Sequence, residues 1–554
     1  MGGNAYWSEA MRRRVSRRGI LHAGMVAGTG LWLGSTLGCG SGKEENKSAG
    51  STANSVPTML QPRYGGILVR RDVAEPRSMD PDFETTPYAG LFFTLANNGL
   101  IKFNRESTKI LPDIAESWER PDDVTYIFKL RKGVKFHNVP PVNGREFVAD
   151  DAKWSVERQM TDNAAFSHAY FFKGELAKIE AVDNYTVKFV TNQPYAAFLN
   201  WMANPFSVMK CREAVDKYGD LKTVAIGTGP FVFKEYKKGI EAIFVKNPDY
   251  FVKGKPYLDE IHTRYVPDPS TAVTMFVGGD LDVAGIDAAV LARTKKQKAD
   301  ATYIDGIESN YPFLLRTQPY DDTHPHKPPF DNKQVRQALL YATDKQEYIN
   351  LASDGNGIPM VGMIPSSRTP WALPESDQIK QNIPKAKLLL AEGGYPNGFK
   401  MEIVCSTVTS AVDSAQVAKG QLAKIGIDAE VKALEDAQYR NKIYAYDFML
   451  NLHNTAGNPE PEYYLKTLFG EDAYAYRWGN KEIWKKIAEQ SRTMDEQKRL
   501  QLIHEIQRML IDDAPVVALY VATGTTGVQR RVKGYQPAWN QNDFSYYEDV
   551  WLSE

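Results

Sequence analysis

Two short segments of the chain carry the residue types that hold a catalytic metal ion. His504-Glu505 begins the pattern of a zinc-protease helix, in which two histidines four residues apart share one metal. Arg508 stands where the second histidine is required, so one helical face cannot supply both imidazoles. Asp321–His326 brings two carboxylates and two imidazoles together, but Pro325 and the surrounding prolines favour a solvated loop. We therefore expect no metal site.

The sequence also lacks the motifs of nucleophilic catalysis and of phosphate binding. Gly227-Thr228-Gly229 is not followed by the Lys-Ser/Thr pair that completes a phosphate-binding P-loop, and no Gly-x-Ser-x-Gly nucleophile elbow occurs. With neither a nucleophile and its base nor a metal set, the chain is predicted to be a non-enzymatic protein without a cofactor.

Length and charge narrow the class of protein further. A chain of 554 residues is too long for one core and predicts two or three domains, and 43% hydrophobic residues exclude disorder for most of it. The net charge is −1; residues 1–38 hold five arginines and one acid, which leaves 62 basic and 67 acidic residues beyond them. This balance excludes a nucleic-acid footprint and a polybasic membrane patch.

The first residues have the pattern of an export signal. Arg17 and Arg18 lie in Ser16–Leu21, which is typical of a twin-arginine motif, and a glycine-diluted apolar stretch follows to Leu37. We predict that residues 1–38 are a signal peptide of an exported protein.

A lipid attachment site is predicted at the end of this signal. Leu37-Gly38-Cys39-Gly40 is typical of a lipobox with Cys39 as the lipidated residue, although Thr36 stands where an aliphatic residue is usual. The segment 39–62 is rich in Gly, Ser, Lys and Glu without apolar periodicity, which predicts a flexible tether. Beyond Cys39 only Cys211 and Cys405 remain, and they fall in different predicted domains, so we expect no disulfide.

The elements of the first half are strands and turns followed by a helix. Thr125–Leu130 alternates as a half-buried strand does, and Phe147–Val156 has the spacing of an amphipathic helix capped near Asp150 or Asp151. Ala177–Val182 and Tyr185–Val190 are the two strands of a predicted hairpin, joined by a turn at Asp183-Asn184.

The second half alternates between helices and strands. Asp331 is the predicted N-cap of a helix, and Pro384 opens another that Gly393-Gly394 ends. The apolar face of the first helix is predicted to hold Val335, Ala338, Leu339, Ala342 and Ile349. The alternation continues to Val431 and predicts a largely parallel sheet.

Several motifs resemble one protein family, in family order. The most specific is Ala115–Arg158; the others are Ile226–Phe231, Lys246–Phe251 with Pro256–Asp259, Val335–Lys345 and Tyr446–Phe448. Together they resemble the family 5 solute-binding proteins, which deliver peptides, nickel chelates, opines or oligosaccharides to ABC importers.

This resemblance implies an α/β fold of the periplasmic-binding-protein type, class II and cluster C. Two lobes joined by a hinge would close over a ligand, and the first lobe would carry an extra subdomain. The implied divisions are 63–105, 223–312 and 515–554 for the first lobe, 106–222 for its subdomain, and 313–514 for the second lobe. The two crossings between lobes are expected near 309–317 and 515–524.

The resemblance also implies where the ligand is bound. Contacts in the family come from the segment after the first strand, from the lobe crossing and from the loop after the "YDF" strand. The corresponding candidates are Glu75, Tyr311, Phe313, His453, Asn454 and Thr455. Trp371 and Trp539 are candidate walls of the cleft.

One departure from the family pattern concerns the substrate. Peptide-binding members carry a tryptophan and an amine-pairing aspartate where this chain has Asn454 and Gly457. Burying an ammonium without a counter-charge costs several kcal/mol. Glu75, which faces the cleft in relatives, is the acid that could supply the charge instead; otherwise a sugar, an opine-like solute or a metal chelate competes with peptide.

We therefore expect an extracytoplasmic solute-binding subunit of an ABC importer. It would be exported by the twin-arginine route, lipid-anchored at the outer face of the cytoplasmic membrane or in the periplasm, and monomeric. Its partners would be a small-molecule or peptide ligand and the membrane permease, with no nucleic acid. A periplasmic sensor or hydrolase on the same scaffold is the alternative.

Overall fold

A mixed eleven-stranded sheet runs through both lobes of the molecule. The structure, a computed structural model, describes residues 61–84, 89–161, 163, 166–318, 328–366, 370–455, 458–471, 473, 476, 478–537 and 546–553, with only the backbone described at 306–311 and 409. Several residues singled out in the sequence lie outside the described ranges: Arg17, Arg18, Cys39, Asp321–His326, Gly457 and Trp539. The backbone of Tyr311 is described, but its side chain is not.

The described strands, in chain order, are β1 (Ile67–Asp72), β2 (Ile101–Phe103), β3 (Ile110–Pro112), β4 (Ala115–Glu119), β5 (Thr125–Leu130), β6 (Leu176–Asp183), β7 (Thr186–Thr191), β8 (Phe231–Lys237), β9 (Glu241–Lys246), β10 (Glu260–Tyr265), β11 (Val283–Ile286), β12 (Thr302–Thr317), β13 (Gly357–Pro359), β14 (Lys400–Ser406), β15 (Asp428–Leu434), β16 (Leu450–Asn454), β17 (Val516–Val528), β18 (Val532–Lys533) and β19 (Trp551–Leu552). The described α-helices are α1 (Gly90–Ala96), α2 (Ala149–Gln159), α3 (Phe198–Met202), α4 (Arg212–Tyr218), α5 (Pro269–Gly278), α6 (Ala288–Gln297), α7 (Lys333–Ala342), α8 (Lys345–Ala352), α9 (Ile383–Glu392), α10 (Thr409–Ala423), α11 (Asp436–Tyr444), α12 (Lys481–Arg492) and α13 (Glu496–Asp513).

Two long strands, β12 and β17, cross from one lobe to the other side by side. The sheet order is β15-β14-β16-β12-β17-β11-β1-β10-β9-β8, with β13 also paired to β17. In the first lobe Thr302 pairs with Val528 beside β11; in the second lobe Arg316 pairs with Val516 while β16 lies on the other edge of β12. The β12–β17 register shifts between positions 308 and 312, so the ladder is irregular where the chain crosses.

The prediction of a largely parallel sheet in the second lobe is wrong for its inner strands. Strand β14 is parallel to β15 and β16, as the intervening helices require. Strand β16 is antiparallel to β12, and β12 is antiparallel to β17. The reason is that β12 and β17 enter and leave the lobe in opposite directions.

A separate four-stranded antiparallel sheet, in the order β4-β5-β7-β6, lies in the predicted subdomain. The predicted hairpin is confirmed, because β6 pairs with β7 around a turn in which Asp183 accepts a hydrogen bond from the Tyr185 N–H at 2.7 Å. The predicted helix is α2, whose N-cap is Val148; Asp151 accepts from the Val148 N–H at 2.9 Å. The core of the subdomain includes the packed rings of Phe128, Phe189 and Phe198.

The Gly227-Thr228-Gly229 segment ties this subdomain to the first lobe around a buried histidine. The Gly227 N–H donates to His137 Nδ1 at 3.4 Å, and His137 Nε2 lies 3.1 Å from the Gly229 oxygen. A Cβ at Gly229 would lie 2.3 Å from the Leu95 oxygen at the end of α1. The glycines are therefore needed because backbone packs directly on backbone here.

Two details of the predicted helices in the second lobe are corrected by the structure. Asn332, not Asp331, caps α7, because its side chain accepts from the Gln334 N–H at 2.8 Å. Helix α7 ends at Ala342 with Thr343 as its C-cap, and Asp344 caps a new helix, so Ile349 belongs to α8. Helix α9 does begin around Pro384, and Gly394 follows it with a φ of +92°.

Both described cysteines, Cys211 and Cys405, are buried and free. Within the described part of the chain, no helix combines the length and the apolar character that crossing a membrane requires.

Candidate functional site

The carboxyl ends of β1 and β16 face the same lobe junction from opposite sides. Arg70 of β1 pairs with Val283 of β11, which pairs with Val528 of β17, and Val528 in turn pairs with Thr302 of β12. Arg70 and Thr302 are therefore level across the sheet, and β1 runs parallel to β12. Asp72 is therefore level with Ile304. Asn454, the last residue of β16, pairs with Phe313 of β12 and runs the opposite way. Loops that leave these two strands must converge on the crossing, where a ligand would contact both lobes.

His453 lies near the end of β16, half-buried beside Tyr439 of α11. Its Nδ1 is 3.1 Å from the Tyr439 hydroxyl. Burial, followed by the positive charges of Arg316 and Arg440, lowers the pKa of His453 to about 3. The imidazole is therefore neutral near pH 7 and, with Nδ1 accepting from Tyr439, can donate one hydrogen bond from Nε2.

Asn454 and Thr455 continue from His453 to the junction. Asn454 is exposed. Thr455 is buried; its N–H donates to the Pro312 oxygen at 3.1 Å, and its Oγ1 is 3.4 Å from the Tyr463 hydroxyl. The first half of the predicted ligand loop is thus held against the crossing strand by its own backbone.

Phe313 packs into the core of the second lobe. Its ring stacks on Tyr520 of β17, with centroids 4.9 Å apart and planes 9° apart, and the side chain is 4% exposed. Side chains alternate along β12, so Leu314 and Arg316 lie on the opposite face of the sheet.

Trp371 is half-buried and belongs to a network that connects the two lobes. The Arg499 guanidinium lies over its ring at 5.4 Å and donates to Glu460 at 2.5 Å. Glu460, which closely follows the ligand loop, also accepts from Asn200 of α3 in the subdomain. The flank of the loop is therefore bound to the first lobe as well as the second.

Glu75 follows β1 in the first lobe. Its carboxylate accepts a hydrogen bond from the hydroxyl of Tyr236 on β8. This bond lowers the pKa of Glu75 below its ordinary value, so the carboxylate is ionised near pH 7. Because Tyr236 is a neutral donor, the negative charge of Glu75 is not cancelled by it.

Two features near the junction were not identified from the sequence. Arg316 of β12 is buried on the face of the sheet that carries His453, since Leu314 pairs with His453 and Arg316 with Asn451. Glu175 of the subdomain is buried against Lys466 and Arg492 of the second lobe. The charged residue directly after the apolar run Pro312–Leu315 was the available signal for Arg316; local sequence held no signal for Glu175.

The described residues contain no group of three or more His, Cys, Asp or Glu side chains placed to hold a metal ion. His504 of α13 instead lies 3.1 Å from the Pro370 oxygen through its Nε2.

Comparisons with known proteins show the family of the chain. The model of a family described as "Bacterial extracellular solute-binding proteins, family 5 Middle" matches residues 109–476. The chain is 31% identical to heme-binding protein A of Haemophilus influenzae, over 81% of this chain and 85% of that protein. It is also 31% identical to di/tripeptide-binding protein 1 of Pseudomonas aeruginosa, over 85% and 92%.

A solved structure shares the fold over nearly its whole length. It is the ABC transporter-associated periplasmic binding protein DppA from Helicobacter pylori in complex with the peptide STSA. The TM-score is 0.76 at 26% identity, and the match covers 89% of this chain and 99% of that one.

Proposed function

This chain belongs to family 5 of the bacterial extracellular solute-binding proteins, and we propose that it captures a peptide between its two lobes and presents it to the permease of an ABC importer. The carrying observation is the convergence of β1 and β16 on the stretch where β12 and β17 cross. A ligand bound there touches both lobes. Its binding energy therefore stabilises the closed arrangement, which the permease can recognise.

Peptide is the proposed ligand class because relatives at this similarity bind it. One is a di/tripeptide-binding protein, and the Helicobacter pylori structure holds a tetrapeptide. The available groups also suit a peptide. They are the neutral imidazole of His453, the exposed Asn454 and the ionised carboxylate of Glu75. Glu75 is proposed to pair with the ligand's amine in place of the aspartate that Gly457 replaces.

The remaining contacts are proposed on the same grounds. His453, Asn454 and Thr455 would bind the peptide backbone, with Tyr311, Phe313, Trp371 and Trp539 as apolar or aromatic neighbours of the site. Phe313 would act through the packing of the crossing rather than by contact, because its ring is buried against Tyr520.

Export and anchoring are proposed from the sequence. Replacement of Arg17 and Arg18 by lysine is expected to leave precursor in the cytoplasm, and Cys39→Ala is expected to release the protein from the membrane fraction. Cell fractionation measures both. Normal export of the double-lysine variant would exclude the twin-arginine route.

Mass spectrometry of the ligand retained by the purified protein tests the proposed function directly. Peptides should be recovered, and the same peptides should bind the emptied protein in calorimetry. Recovery of a non-peptide solute, with no heat from di- or tripeptides, would exclude the peptide assignment while leaving the solute-binding class intact.

A further inference from the structure

A guanidinium is buried in the second lobe without a counter-charge. Arg316 of β12 is 3% exposed, and its Nε and Nη2 have no hydrogen-bond partner. It forms no ion pair with any carboxylate in the described ranges. Burial accordingly lowers the pKa of Arg316.

The other buried arginines show how unusual this is. Among the described residues, four more arginine side chains are comparably buried, and each has oxygen partners. Arg336 pairs with Asp513 at 2.9 Å and Arg499 with Glu460 at 2.5 Å. Arg70 lies 3.4 Å from Asp72, and Arg71 donates to backbone oxygens that include that of Gly285 at 2.8 Å.

Aromatic rings, rather than acids, surround Arg316. Its guanidinium carbon lies 4.7 Å from the ring centre of Phe448 and 4.9 Å from that of Tyr476. Such contacts are weakly stabilising, whereas burying one unpaired charge is strongly unfavourable. Ring contacts alone therefore do not offset the burial, and they leave the N–H donors of Nε and Nη2 without acceptors.

Arg316 lies beside His453, one of the candidate ligand-binding residues. It shares a sheet face with His453, its diagonal neighbour across the β12–β16 pair. Asn451, directly opposite, already donates to the Val404 oxygen at 2.9 Å. Planar, in-plane N–H donors match a carboxylate, which can accept two of them at once.

We propose that Arg316 is the anion-binding residue of the interlobe site and that the transported solute presents a carboxylate to it. The proposal rests on the solute-binding function proposed above and adds the charge of the ligand. Neutral His453 beside it would donate to the same carboxylate. With Glu75 in the first lobe, the two lobes would then hold the opposite ends of a short zwitterionic peptide.

Calorimetry with trialanine and trialanine amide tests this assignment. The amide lacks only the terminal carboxylate, and we expect it to bind the wild-type protein about 30-fold more weakly, as loss of one charge-assisted pair predicts. Arg316→Gln should lose affinity for trialanine by a similar factor and no longer distinguish the two peptides. Arg316→Lys should lie between them.

Arg440→Gln is the matched control, because Arg440 lies nearby on α11 but is exposed and paired with Asp436 at 2.9 Å. Arg440→Gln should change neither the affinity for trialanine nor the affinity for trialanine amide. The ligand-free Arg316→Gln protein should melt no lower than wild type, since an unpaired buried charge has been removed. A lower melting temperature with unchanged affinity would overturn the proposal in favour of a structural role.

A second probe separates this inference from the peptide assignment. Propionate, but not propionamide at equal ionic strength, should raise the melting temperature of wild type and not of Arg316→Gln. If trialanine does not bind but propionate behaves in this way, the peptide function fails and the anion site stands. If trialanine and trialanine amide bind equally well, to wild type and to Arg316→Gln alike, the anion site is excluded and the peptide function stands.

Discussion

Glu175 and Arg492, 317 positions apart in the chain, form a partly buried ion pair between the two lobes. Arg492 Nη1 lies 2.5 Å from Glu175 Oε2, and Lys466 Nζ lies 2.5 Å from Glu175 Oε1. Glu175 immediately precedes β6 of the subdomain. Arg492 ends α12, which packs on α13 and through it on α7 of the second lobe. The backbone adds a bond from the Ala196 N–H to the Ser491 oxygen at 2.9 Å.

Glu175→Gln is expected to weaken ligand binding about tenfold or more. If the lobes separate when ligand leaves, this pair exists only in the closed protein, so its loss destabilises the liganded state. Calorimetry measures the affinity. Glu180→Gln is the control, because the ion pairs of Glu180 with Lys178 and Lys188 stay within one sheet. Equal melting-temperature losses with and without ligand would instead indicate a permanent interface.

Acid is expected to destabilise the fold through two buried histidines. Burial lowers the pKa of His137 and of His168 to about 4 each. Their ordinary pKa is about 6.5, so the unfolded chain binds protons first. The stability contributed by the neutral imidazoles is complete above pH 6.5 and is lost as pH falls towards 4, by roughly 3 kcal/mol per histidine. Denaturant unfolding measures the loss; imidazole NMR signals that titrate near pH 6.5 would contradict it.

Gly229→Ala is expected to lower the free energy of unfolding by about 2 kcal/mol or more, because the new Cβ would lie 2.3 Å from a backbone oxygen of α1. Gly420→Ala is the matched substitution. Gly420 lies inside helix α10, and apart from the backbone of its own helix no atom lies within 4 Å of an added Cβ, so alanine should stabilise by up to about 1 kcal/mol. Urea unfolding compares the two; equal effects would show that the packing at Gly229 is not tight.

Glu75→Gln is expected to remove any preference for a free amino terminus. Wild type should bind trialanine about tenfold more tightly than N-acetyl trialanine, since only the free amine pairs with the ionised carboxylate. The variant should bind both equally. Tight binding that survives Glu75→Gln but is abolished by N-acetylation would place the amine at another acid.

Local elements were predictable from the sequence, and contacts between distant residues were not. The β6–β7 hairpin and α2 follow from alternation, turn residues and helical spacing within about ten residues. The α7–α8 break was missed because Asp344 caps a helix inside what reads as one apolar face. The sequence also does not reveal that Arg316 lacks an acid or that Glu175 meets Arg492, because both depend on the packing of separate elements.

Small-angle scattering of the purified protein, with and without saturating peptide, tests the central claim most directly. The account predicts that peptide makes the protein more compact and that Glu175→Gln reduces this change. Micromolar binding of peptide with an unchanged radius of gyration would contradict capture by closure of the two lobes.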